Sequence, residues 1–180
     1  VSHGQGFLFG LPNADTPHKV IVTGDYLARP RLFEGARSKL INLSRSYAYQ
    51  SKGYYASLLA EARGHRVMPS VETMLELRES KLYEHALPEL EDELNRCARR
   101  AEFQPEGEFK LFVCFGISRD PRFEPFGRLL FDWFRCPALE VAVDTSAAWL
   151  SIDRIRPRSI TRLANGEAAF FRESLHEHTR

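Results

Sequence analysis

The chain has 180 residues, 43% of them hydrophobic and 27% charged, and a formal net charge of +1. A chain of this length buries roughly 70% of its unfolded surface and needs no staple to hold a core, while its near-balanced charge gives no electrostatic case for nucleic-acid binding. No apolar run approaches the ~20 residues of a membrane span, and the start lacks the charged-then-apolar order of a signal peptide.

Residues 1–17 read as a flexible lead-in and 18–180 as a single α/β domain. KVIVT (19–23) is a β-branched run closed by Gly24-Asp25, a strand and a turn. Residues 25–38 are polar and Pro-interrupted, hence loop, and KLINL (39–43) is a second strand. A helix is expected over 53–63, with Tyr54, Tyr55, Leu58, Leu59 and Ala62 on its inward face. Gly64 stops that helix as the residue past its C-cap. RVMP (66–69) is a third strand.

The pattern from Val71 to Ala101 is helical, split at Pro88. LFVCFGI (111–117) is a continuous apolar run of strand length, as in a strand covered on both faces. Phe126, Leu129, Leu130, Trp133 and Phe134 form a helix face. Residues 139–143 alternate as a half-buried strand, with 149–155 as an antiparallel partner. A closing helix spans 165–177, with Asn165 as N-cap. The strand–helix alternation predicts an α/β fold: a mostly parallel central sheet with helices on both faces, a Rossmann-like three-layer arrangement, and an antiparallel strand pair near the C-terminus.

Cys97, Cys114 and Cys136 have no metal-site spacing, so reduced and buried thiols are expected, as in a cytoplasmic protein. No complete catalytic set is legible, and no metal ligands are assigned. The segment SRSYAYQSKGYYAS (44–57) stands out. It lies between a strand and the following helix, where ligands bind in open α/β sheets and where a helix N-terminus attracts anions. Arg45 and Lys52 add charge and Ser51 adds a donor. The alternative is that Tyr47, Tyr49, Tyr54 and Tyr55 pack under the loop with their hydroxyls on backbone, while Gly53 supplies a special φ. His65 reads as a base or as a histidine at the helix C-terminus, and Glu61 as an ion-pair partner. RIRPRSITR (154–162) carries four arginines and no acid. It suits an acidic surface or a nucleotide, or an exposed tail.

The block INLSRSYAYQSKGYYASLLAEARGHRVMPSVETM (41–74) resembles the N-terminal domain fused to RimK-like ATP-grasp ligases. The matching residues are Asn42, Arg45, Tyr47, Tyr49, Ser51, Gly53, Tyr54, Tyr55, Ser57, Glu61, His65 and Pro69. VTGDYL (22–27), FGRLLFDWF (126–134), PALEVAV (137–143) and Trp149 are compatible with it.

The resemblance implies an accessory domain of an ATP-dependent carboxylate–amine (amino acid or peptide) ligase. ATP and magnesium would belong to the associated ATP-grasp domain, with no cofactor in this chain. The partner would be that catalytic domain, in cis or in trans, with a homodimer possible and neither nucleic acid nor membrane involved. Arg45, Tyr47, Tyr49, Ser51, Lys52, Gly53, Tyr54, Tyr55, Glu61 and His65 would bind substrate or the catalytic domain. Two other readings are a standalone nucleotide- or metabolite-binding enzyme using the 44–57 loop, and a structural dimerisation module.

Overall fold

The computed structural model describes residues 6–9, 18–31, 33–35 and 37–180. Strands β1 (Gly6–Phe9), β2 (Lys19–Ile21), β3 (Lys39–Ile41) and β4 (Arg66–Met68) form a parallel sheet in the order β2-β1-β3-β4. The expected lead-in, 1–17, lies outside the described residues apart from Gly6–Phe9, which forms an inner strand. Helices α1 (Thr23–Ala28) and α2 (Lys52–Ala62) cover one face, where Tyr26, Leu40 and Ala60 are buried together.

Helix α3 (Val71–Glu76), a turn of helix α4 (Ser80–Tyr83) and a 3-10 turn lead into α5 (Leu87–Arg100). Pro88 sits in the first turn of α5, where its missing N–H has no partner to lose, so it starts that helix rather than dividing one. A second sheet follows: β5 (Phe109–Cys114), β6 (Ile117–Ser118), β7 (Ala138–Asp144) and β8 (Ser151–Pro157). Its order is β6-β5-β7-β8 and every pairing is antiparallel. Helix α6 (Glu124–Trp133) packs with α5 against one face of this sheet, and α7 (Asn165–Thr179) against the other. Asn165 is the first helical residue of α7 rather than its N-cap.

The expected mostly parallel, Rossmann-like central sheet is therefore incorrect: the parallel strands form one small sheet and the C-terminal strands a separate antiparallel one. The run 111–117 explains the error. It is covered on both faces, with Leu111 and Val113 in the α5/α6 cluster and Phe112 and Cys114 in the α7 cluster. Two-sided burial suits a parallel strand, but here it comes from an antiparallel one. Phe115 (φ 51) and Gly116 (φ 82) make a two-residue turn of the type that closes a hairpin, so the run doubles back at its centre. The strands at 138–144 and 151–157 do pair antiparallel. Ile41 and Leu43 share a buried cluster with Phe112, Phe115, Phe171 and Leu175, so the two sheets have a common core through α7.

The inward face of α2 also differs from expectation. Its buried residues are Gly53, Ala56, Ser57 and Ala60, while Tyr55 and Leu58 are exposed. Small residues at 0, 3, 4 and 7 bring the helix close to the sheet, and Tyr55 and Leu58 point outward, while Leu59 packs against the Tyr26–Leu40–Ala60 cluster as expected. Gly64 ends the helix as expected (φ 74), with its N–H on Glu61 O and the His65 N–H on Ala60 O, which satisfies two terminal carbonyls. No helix among the described residues is long and apolar enough to cross a membrane. Cys97, Cys114 and Cys136 are free and buried, and burial pushes all three thiols up, Cys136 to about 12.

A candidate anion-binding cleft

Asn42, directly after β3, organises the Tyr-rich loop. Its side-chain amide donates to Gly53 O (2.8 Å) and to Ser57 Oγ (2.9 Å). Its carbonyl oxygen accepts from the Ser44 N–H (3.1 Å) and from Ser44 Oγ (2.6 Å). The Asn42 backbone carbonyl accepts from the Tyr47 hydroxyl. Ser57 Oγ passes the chain on to Pro69 O (2.7 Å). Asn42 and Ser57 are fully buried, so this network fixes the loop against α2 from the inside.

Gly53 is needed for contact, not for a special φ. A Cβ there would lie 2.1 Å from Ser46 O and 2.7 Å from the Ser44 Cβ. Gly53→Ala must push the loop off the helix, so it is expected to destabilise the fold by about 1–3 kcal/mol, measured by urea unfolding. An unchanged stability would show that the loop does not rest on the helix. Ser51 is the N-cap of α2, accepting from the Tyr54 N–H and donating to Ser46 O (3.0 Å).

Beyond the C-terminal end of β3, this loop forms one wall of a cleft of about 540 Å³. Ser44, Arg45, Ser46, Tyr47 and Ala48 line that wall. Met74, Leu77 and Arg78, in and after α3, line the second. The third is the end of β8 and the segment after it, with Arg154, Arg156, Arg158 and Arg162. Six arginines thus face one cleft, and none of its lining residues is acidic.

Carboxylates stand behind two of them. Glu140 on β7 bonds Arg156 (2.6 Å) and Arg158 (2.5 Å), and Arg158 also bonds Glu167 (3.1 Å). Arg45, Arg78, Arg154 and Arg162 have no ion-pair partner among the described residues. Arg78 lies over the Tyr49 ring at 5.4 Å, a contact that leaves its charge uncompensated.

Burial pushes the Glu140 carboxyl up, but the bonds and charges of Arg156 and Arg158 outweigh it and hold the group below the ordinary 4.5. A carboxyl lowered by folding stabilises the protein above its unfolded pKa, and that contribution is lost as pH falls through the lower folded value. Glu140→Gln is therefore expected to cost about 1–2 kcal/mol at pH 7. Its stability gap from the wild type should close as pH drops below 4.5. Parallel denaturation curves from pH 7 to pH 3 measure this, and a gap constant with pH would contradict it.

The residues singled out in the sequence separate into groups. Arg45 and Tyr47 line the cleft. Burial, with Cys136 nearby, pushes the Tyr47 hydroxyl well up, which keeps it a neutral donor. Of the four tyrosines in this segment, Tyr47 alone has its hydroxyl bonded to backbone. Tyr49 sits at the rim on Arg78, and Tyr49, Tyr54 and Tyr55 follow one another in edge-to-face contacts of 5.2 and 5.5 Å. Lys52 is exposed and does not line the cleft.

Glu61 and His65 lie at the far end of α2. Glu61 caps α3 through the Val71 N–H (3.3 Å). His65 is buried with Nδ1 3.0 Å from the Tyr26 hydroxyl, and burial outweighs a backbone hydrogen bond to lower its pKa. Its ring packs against Tyr26 and Phe33 behind the end of α2. Sequence reasoning missed Arg78, and it read the acid-free run RIRPRSITR as suited to an acidic surface or a nucleotide without placing it beside the 44–57 loop.

The model of one protein family, the RimK-like ATPgrasp N-terminal domain, matches residues 23–174. The chain belongs to this family. No curated protein matches it. The matched span takes in all three walls of the cleft. No three His, Cys, Asp or Glu side chains converge on a metal position among the described residues.

Proposed function

We propose that this RimK-like ATP-grasp N-terminal domain holds the negatively charged end of a substrate for an ATP-dependent carboxylate–amine ligase. The observation that carries the reading is the convergence of six arginines and three serines on one cleft with no acid among its described lining residues, in a chain of net charge +1. Guanidinium forks bind carboxylate and phosphate oxygens in pairs, and Tyr47 adds a neutral wall. The loop's position beyond the end of β3 leaves the cleft open to a catalytic domain supplied in cis or in trans. The domain binds and orients; bond formation belongs to the ATP-grasp partner.

A second reading has a specific observation behind it. Tyr49, Tyr55 and Leu58 are 52%, 40% and 39% exposed around the N-terminal half of α2. That face is suited to docking the catalytic domain beside the cleft.

The test is calorimetric titration of the chain with citrate, a multivalent carboxylate probe, alongside an ATP hydrolysis assay. Citrate is expected to bind, its neutral triamide is not, and the chain alone is expected to show no ATP turnover. Absence of citrate binding overturns the substrate-holding role. ATP turnover by the isolated chain overturns the accessory role.

A further inference from the structure

A second group of cations lies on the α7 side of the parallel sheet. Leu40 and Val67 face α1 and α2, so their neighbours Lys39 and Arg66 point the opposite way. The two are in direct register on adjacent strands. Strands lie about 4.8 Å apart, and like charges placed opposite one another destabilise a sheet. Arg135, just past α6, and His178, in the last turn of α7, join them in lining a cleft of about 610 Å³. His18 and Arg180 add to this lining, which among the described residues contains no acid and shares no residue with the first cleft.

Ordinary structural roles account for part of this. Arg135 and His178 each lie at a helix C-terminus, where the dipole favours a cation. Arg135 also lies over the Phe131 ring (5.6 Å), and Lys39 over Phe33 (5.8 Å). None of these contacts brings a carboxylate. Lys39, Arg66 and Arg135 have no ion pair among the described residues. Burial lowers the His178 pKa, and the nearby charges of Arg135 and Lys39 lower it further. The Lys39–Arg66 juxtaposition has no carboxylate partner among the described residues.

We propose that the cleft between β3, β4 and the ends of α6 and α7 is a second anion site, for a phosphate-bearing small molecule. Three cations from three elements line this one cleft, which suits the several oxygens of a tetrahedral group better than the two of a planar carboxylate. The citrate titration probes the other cleft, which shares no lining residue with this one, so this site stands or falls independently of the substrate-holding role.

The probe is inorganic pyrophosphate, followed by calorimetry and by thermal melting of the 180-residue chain. Wild type is expected to bind it at submillimolar concentration and to melt higher in its presence. A Lys39→Gln/Arg66→Gln variant is expected to lose at least about 30-fold in affinity, roughly 2 kcal/mol. It should melt no lower than wild type without ligand, because a like-charge pair is removed. Arg135→Gln alone should weaken binding about tenfold, and Arg45→Ala/Arg154→Ala should leave it within about threefold. Affinity weaker than about 10 mM, binding unaffected by Lys39→Gln/Arg66→Gln, or loss in the Arg45→Ala/Arg154→Ala variant instead overturns the proposal.

Discussion

Asn42→Ala is expected to lower the unfolding free energy by about 3–5 kcal/mol. Asn42 is 0% exposed, and its side chain makes four hydrogen bonds to three different residues. Removing it leaves the Ser44 N–H without its partner in a buried setting, at about 1–3 kcal/mol, while the Gly53 carbonyl loses one of two bonds and keeps its place in the α2 ladder. Ser57 suffers less, because its hydroxyl keeps Pro69 O. Asn42→Asp should be comparably damaging: a carboxylate in that position would face the Gly53 carbonyl instead of donating to it. Urea unfolding measures both. At this chain length the loss corresponds to a fall in Tm of roughly 10 °C. A cost below about 1 kcal/mol would mean that the network does not hold the loop.

The second large effect concerns binding. Arg45→Ala/Arg154→Ala removes one unpaired guanidinium from each of two facing walls of the cleft. Both side chains are exposed and neither takes part in an ion pair among the described residues, so folding stability should stay within about 0.5 kcal/mol. Citrate affinity should fall about 100-fold, near 1.4 kcal/mol for each group. Arg45→Lys/Arg154→Lys keeps the charge but not the fork, and should lie between. Arg156 and Arg158 are poorer choices for this test, because Glu140 makes them part of the fold. If the alanine pair binds citrate as the wild type does, the cleft does not hold the anion.

Much of the local structure was legible in the sequence. The stop at Gly64 and the α6 face of Phe126, Leu130 and Phe134 follow from spacing alone. The antiparallel pairing of 138–144 with 151–157 does too. What spacing cannot show is which side of a helix a sheet will accept. In α2 both a large-residue stripe and a small-residue stripe repeat at helical period. The small one won because Asn42 draws the helix backbone within 2.8 Å at Gly53. Likewise a run buried on both faces, such as 111–114, carries no record of strand direction. That was decided by the turn at Phe115 and Gly116.

The candidate site was half legible. The segment 44–57 and the run 154–162 each stood out by composition. Their meeting is a tertiary fact, since 154–162 reaches the loop only through the separate antiparallel sheet. Glu61 and His65 belong to the same recognisable block, yet they serve the far end of α2, because an eleven-residue helix carries its two ends roughly 16 Å apart.

Amide chemical-shift mapping of the chain during citrate titration tests the central claim most directly. The account predicts saturable shifts clustered at Arg45–Ala48, Leu77–Arg78 and Arg156–Ser159, the three walls of one cleft. Shifts elsewhere, or none at all, would contradict it.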